Sequence, residues 1–282
     1  MNFHNSPTLN LLNSSTLIAL SGALRLHIAF LLAGIDPKIP VYLAGGLIIY
    51  STYTLDRSLG SEEDAINRSE LKGSKNNIAI VICIITFLAG ALILAGEKIY
   101  FASFFPFIVG YLYSKGLKIG RFKLKLKGSA GGKNIVVAMT WGGTIALIVS
   151  EWNKNNITIL LIFTFYGTKL FINSILYDFK DIKGDMAAGI KTLPVCFGEN
   201  RIRKILLMLC ILMHCCILVS LLTGFIMPEP VILSYSFFAG IISISLISSN
   251  HESGIKKYSR EIIVDGESTI ALVLRGTIKS VS

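Results

Sequence analysis

Seven carboxylates stand at the ends of two apolar stretches: Asp56, Glu62, Glu63 and Asp64 follow one, and Asp178, Asp181 and Asp185 follow another. On a helix turning about 100° per residue, positions 178, 181 and 185 fall within roughly 60° of one another, so three carboxylates share one face. Like charges that close repel and raise one another's pKa unless a cation holds them ionised. No His or Cys lies near them, and an oxygen-only donor set favours Mg²⁺, which completes its shell with water and phosphate oxygens. In the first group Asp56 and Glu63 lie about 20° apart on an unbroken helix and Asp64 about 80° away, while Gly60 is placed to interrupt that helix. The competing structural reading of the second group is a solvated helix end whose acids pair with Lys180, Lys183 and Lys191.

Cations lie between the acid groups. The loop from Lys115 carries Lys118, Arg121, Lys123, Lys125, Lys127 and Lys133, the last beside Asn134, and Tyr113 stands just before it. Most of these set topology; Lys118 and Arg121 are the two expected to meet an anionic substrate, because cations stabilise a departing diphosphate. Arg25, inside the first apolar stretch, needs an anion or a polar cavity to lie there. Tyr177, next to Asp178, offers either a π-face for a developing cation or an interfacial anchor.

The rest of the chain supplies the setting. Of 282 residues, 52% are hydrophobic and 16% charged, with a mean hydropathy of +0.65, which is a polytopic membrane composition. Apolar spans are expected at about 12–34, 39–56, 77–96, 99–114, 134–150, 157–177, 204–226 and 229–248, each able to cross a hydrocarbon core of about 30 Å. A ninth, at 264–281, contains Asp265, Glu267 and Arg275. The segments 57–76, 115–133, 178–204 and 249–263 hold 20 of the 27 Lys and Arg residues, which places them, and both acid groups, in the cytoplasm by the positive-inside bias. The first 30 residues lack a basic n-region and a cleavage site, so the first span is expected to be retained. The five cysteines show no metal or CxxC spacing, and four lie in apolar spans, predicting buried small hydrophobes. The net charge of +10 suits anionic lipid head groups, and short loops pinned to a bilayer argue against a nucleic-acid partner.

These residues resemble the UbiA-type intramembrane prenyltransferase superfamily. The likeness covers most of the chain: the spans, both acid motifs, Tyr113-Ser114-x-x-Leu117-Lys118 and Lys133-Asn134-Ile-Val-Val. Most specific is Asp178-x-x-Asp181-Ile-Lys-Gly184-Asp185-x-x-x-Gly189-Ile-Lys191-Thr192-Leu193-Pro194. The first motif departs from the family's Asn-Asp-x-x-Asp-x-x-x-Asp: with Asp64 on the last Asp, Asp56 stands where Asn is usual and Gly60 replaces the middle acid, leaving Glu62 or Glu63 as substitutes.

The resemblance implies a single all-α membrane domain of about nine transmembrane helices, with a lateral, lipid-open cavity and a cytoplasmic cap. Two Mg²⁺ ions would be held by Asp56, Glu63, Asp64, Asp178, Asp181 and Asp185. Asp56, Asp64, Asp181, Asp185 and Tyr177 would serve catalysis, and Arg25, Tyr113, Lys118, Arg121, Asn134 and Lys191 would bind substrate. The implied reaction transfers an isoprenyl chain from a polyprenyl diphosphate, through an allylic carbocation, to a quinone-type aromatic or other membrane acceptor. A glyceryl phosphate acceptor, as in archaeal lipid synthesis, is the alternative. From a different class, a cation-coupled transporter would place its carboxylates near the midplane at helix breaks, whereas these stand at span ends. The Asp-Gly-x-x-Ala-Arg opening of CDP-alcohol phosphatidyltransferases is absent.

Overall fold

A computed structural model describes residues 7–59, 74, 76–115, 117–119, 122–124, 131–187, 189–247 and 263–281. Eleven helices occur among them: α1 (Pro7–Asn13), α2 (Thr16–Leu32), α3 (Ile39–Leu59), α4 (Asn76–Gly96), α5 (Phe101–Lys115), α6 (Gly132–Val149), α7 (Asn156–Ala187), α8 (Leu193–Phe197), α9 (Glu199–Leu222), α10 (Pro230–Leu246) and α11 (Glu267–Val281). Five segments are long and apolar enough to cross a membrane: Pro7–Leu32, Asn76–Gly96, Gly132–Val149, Asn156–Phe179 and Glu199–Leu222. Phe101–Ser114 and Pro230–Leu246 are shorter apolar helices. Large apolar side chains such as Leu20, Leu43, Leu92, Leu222 and Leu246 face outward, as expected where the surrounding medium is hydrocarbon. The protein is a multi-pass membrane helix bundle.

Three departures from the expected spans have local causes. The first span breaks at Ser14 and Ser15 into α1 and α2, where Ser15 accepts hydrogen bonds from Arg57 (2.5 Å) and Thr54 (3.1 Å) of α3. The sixth does not end at 177: α7 runs on as one helix through Asp178, Asp181 and Asp185 to Ala187. Gly189 then stops it with a left-handed φ of 68°. The amides of Gly189 and Ile190 bond back to Met186 and Asp185 carbonyls at 3.2 and 2.8 Å, the Schellman pattern that satisfies a helix's last carbonyls. Within the basic loop, Leu117–Ile119 (β1) and Phe122–Leu124 (β2) pair antiparallel, setting Lys118 opposite Lys123.

Buried side chains form two groups. The larger joins α2, α3, α6 and α7 through residues such as Leu26, Phe30, Ile48, Trp141, Ile148 and Ile162. The smaller joins α7, α9 and α10 around Leu176, Phe179, Leu206 and Ile244. Without a hydrophobic drive between helices in lipid, close backbone approach matters more. Gly142 of α6 supplies it: a Cβ there would lie 2.9 Å from the Gly167 backbone of α7.

The cysteine expectation needs correction. Cys83 and Cys210 are buried, but Cys196, Cys215 and Cys216 are exposed, because those of α9 turn toward its outer face. In an apolar medium a thiol on that face has no burial to gain.

Candidate active site

The α6–α7 crossing brings Asn134, at the start of α6, onto Asp178 of α7. The Asn134 side-chain amide donates to Asp178 Oδ2 at 2.9 Å and to Ser174 Oγ at 2.8 Å. Lys133 Nζ lies 2.7 Å from Asp178 Oδ1. Asp178 is only 3% exposed, so its charge is answered by a cation and an amide from a neighbouring helix. The pairing differs from a solvated helix end, and Lys191 is exposed beyond Gly189. Lys133, not singled out above, is a cation that meets the second motif at Asp178 among the described residues.

Asp185 is fully buried on the same helix and Asp181 half-buried, which fits one inward face carrying the three acids. Among the described residues Asn134 Oδ1 and Thr192 Oγ1 are buried without hydrogen-bond partners, and a buried unsatisfied oxygen is costly unless something else occupies it. Among the described residues no three His, Cys, Asp or Glu side chains are close enough together to hold an ion. Glu63, Asp64 and Arg121 lie outside the described residues, as do Gly60 and Glu62, and of Lys118 only the backbone on β1 is described.

Asp56 lies in the last turn of α3, at the same end of the bundle. Ser114 of α5 donates to Asp56 Oδ1 at 2.6 Å, and Asp56 and Tyr113 line one cavity with Thr52, Thr140 and Trp141. A second cavity is walled mainly by hydrocarbon, including Leu26, Ile48, Ile145 and Leu170. Trp141 and Tyr53 border both cavities. The two motifs thus reach the same end by different routes: α3 and α7 both run toward it and α6 runs away from it, touching α7 through Asn134 and Asp178 and α3 through Trp141 and Tyr53.

Arg25 borders the second cavity at 9% exposure, and its counter-ion is Asp265, with Nη2 3.6 Å from Oδ1. Tyr177 donates its hydroxyl to Asp265 Oδ2 at 2.5 Å, and its ring packs on the smaller core group and does not line either cavity. Two residues on, Glu267 pairs with half-buried Lys169, which also donates to Ser236 Oγ at 2.7 Å. A bend at Gly266 lets these two acids face different helices. Asp265, Glu267 and Lys169 escape a reading along the sequence because acids within an apolar stretch weaken it as a span, and their partners are remote in the chain.

A family model described as the UbiA prenyltransferase family matches residues 28–260. The chain belongs to the UbiA prenyltransferase family. Among curated relatives, the digeranylgeranylglyceryl phosphate synthase of Sulfurisphaera tokodaii is 31% identical over 186 residues, covering 61% of this chain and 61% of that protein. The match therefore spans less than two thirds of that relative's length. A UbiA homolog from Archaeoglobus fulgidus bound to DMAPP and Mg²⁺ has the same fold, with TM-score 0.64 at 16% identity over 96% of this chain and 99% of that one. The homolog bound to GPP and Mg²⁺ gives 0.62 at 15% identity over 96% and 100%. The UbiA fold is thus carried at sequence identities too low to transfer individual residue roles.

Proposed function

We propose that this UbiA family member transfers an isoprenyl chain from a polyprenyl diphosphate to an acceptor in the membrane, with Mg²⁺ as cofactor. The observation that carries the reading is the arrangement at one end of the bundle: Asp56 opens a cavity that continues into hydrocarbon walls, while Asp178 and Asp185 are buried across α6. Asp56, Asp181 and Asp185, with Glu63 and Asp64 of the first motif, are the proposed Mg²⁺ ligands, for two ions. Asp178 belongs with them through its position, and Lys133 and Asn134 orient it. Bound Mg²⁺ supplies positive charge to the leaving diphosphate.

The chain's own residues do the remaining work. Lys133 adds a half-buried cation at the diphosphate end, joined by Lys118 and Arg121 from the hairpin loop and by Lys191 after the Gly189 turn. Tyr113 and Asn134 contact the head group, and Arg25 bounds the tail. Heterolysis of the donor's allylic C–O bond leaves diphosphate and a carbocation, an acceptor atom forms the new bond to carbon, and the acceptor's proton leaves with diphosphate or water. Hydrocarbon walls keep water from the cation, which limits its loss to hydrolysis. Nine membrane crossings, a cavity opening sideways to lipid and a cap of basic loops in the cytoplasm complete the arrangement, with the positive-inside bias supporting the orientation.

For the acceptor, the relative's identity as a digeranylgeranylglyceryl phosphate synthase favours a glyceryl phosphate lipid over a quinone-type ring. Purified protein incubated with labelled geranylgeranyl or farnesyl diphosphate, Mg²⁺ and each acceptor class should release diphosphate and give one prenylated lipid, identified by mass. Cation flux into proteoliposomes with no diphosphate release would instead favour transport.

A further inference from the structure

The two cavities follow one another along the same pair of helices. On α3 the order is Asp56, Tyr53, Ile49 and Gly45; on α6 it is Val137, Trp141, Ile145 and Ile148. At 1.5 Å per residue each series descends about 16 Å, from the acid end into the bundle. In both series the residue shared by the two cavities is the aromatic one. Among the described residues, Tyr53 and Trp141 are the pair that borders both, and their rings stack with centroids 5.7 Å apart and planes 9° from parallel.

That pair is therefore a partition. Above it the cavity carries Asp56 and Tyr113; below it the walls are nearly all hydrocarbon, and the charge of Arg25 is answered by Asp265. Tyr53 sits three residues before Asp56 on α3, so a donor whose head group is fixed near Asp56 presents its tail to the stacked rings. Arg57, one turn beyond Tyr53, lies with its guanidinium carbon 5.7 Å from the Tyr53 ring centre. Together Arg57 and Trp141 restrict how that ring can swing aside.

We propose that the stacked Tyr53–Trp141 pair determines which donor tail lengths the enzyme accepts. Short tails occupy the upper cavity; longer ones enter the lower cavity only by displacing the stack. The inference rests on the prenyl-transfer reading above and adds a specificity role to two residues outside both acid motifs.

The test compares kcat/KM for geranyl and geranylgeranyl diphosphates in wild type, Trp141→Ala and Trp141→Phe, with thermal unfolding in detergent to establish folding. Trp141→Ala should raise the preference for the C20 donor over the C10 donor by at least about tenfold, the discrimination typical when a hydrophobic pocket gains or loses a small apolar group. Trp141→Phe, which keeps a ring against Tyr53, should stay closer to the wild-type ratio than Trp141→Ala does. If Trp141→Ala does not fold, the same comparison is read from Tyr53→Leu. An unchanged ratio in a folded, active variant overturns the inference and leaves prenyl transfer standing, with the tail leaving sideways into lipid. No diphosphate release by the wild type from any donor overturns the prenyl-transfer reading, and this inference with it.

Discussion

Asn134 and Asp178 hold α6 to α7 by a hydrogen bond of 2.9 Å between two buried side chains. Replacing Asn134 by Leu removes a neutral donor from a buried carboxylate. Hydrogen bonds to charged groups contribute about 1.5–3 kcal/mol, so Asn134→Leu should lower stability by that order. It should also slow diphosphate release by tenfold or more, on the order expected for a lost charge-orienting group. Thermal unfolding in detergent and a diphosphate assay check the two effects separately.

Asp265 is the counter-ion of Arg25 and the acceptor for Tyr177. Asp265→Ala leaves a buried guanidinium uncompensated, which costs about 3–5 kcal/mol. The double variant Arg25→Met/Asp265→Ala removes both charges and should recover much of that loss. Equal destabilisation of the single and double variants would show that Asp265 acts through Tyr177 alone.

Gly142 and its neighbour Gly143 provide an internal contrast. A Cβ at 142 meets the Gly167 backbone at 2.9 Å, whereas one at 143 comes no nearer than 3.8 Å to Phe105. Gly142→Ala must push α6 off α7 and should destabilise by about 1–3 kcal/mol, the usual range for overpacking. Gly143→Ala should be tolerated or slightly stabilising, since it replaces glycine within a helix. Comparing the two melting temperatures decides the point.

At the opposite end, Glu229 precedes α10 and receives two hydrogen bonds from Arg275, at 2.6 and 2.5 Å. These bonds hold the Glu229 carboxyl below its usual pKa. A carboxylate with a lowered folded pKa stabilises fully above its unfolded value of about 4.3 and loses that contribution as pH falls through the folded value. The wild type should therefore be more stable than Glu229→Gln at pH 7, and the difference should shrink on acidification below about pH 4. Unfolding curves of both proteins across that window test the sign.

What the sequence reveals, and what it hides, divides along a physical line. Apolar length and the spacing of Asp178, Asp181 and Asp185 are local properties, and the structure carries the three acids on one helix ended by Gly189. The family likeness rests on the same local motif. Among the loop cations Lys118 and Arg121 stood out by position; the ion pair of Lys133 with buried Asp178 was not legible, because it depends on how α6 crosses α7. Asp265 and Glu267 seemed ill suited to a span because their compensating partners, Arg25 and Lys169, come from α2 and α7. The stacked aromatics on α3 and α6 were equally hidden, since no spacing rule links residues 53 and 141.

The central claim is that carboxylates from α3 and α7 act together on a diphosphate through Mg²⁺. Diphosphate release from geranylgeranyl diphosphate, measured with and without EDTA for wild type, Asp56→Ala and Asp185→Ala, tests it most directly. The account predicts turnover by the wild type that EDTA abolishes and excess Mg²⁺ restores, and a loss of at least about a hundredfold in each folded variant, comparable to removing a main electrostatic stabiliser. Wild-type turnover that persists in EDTA, or undiminished turnover in both variants, would contradict it.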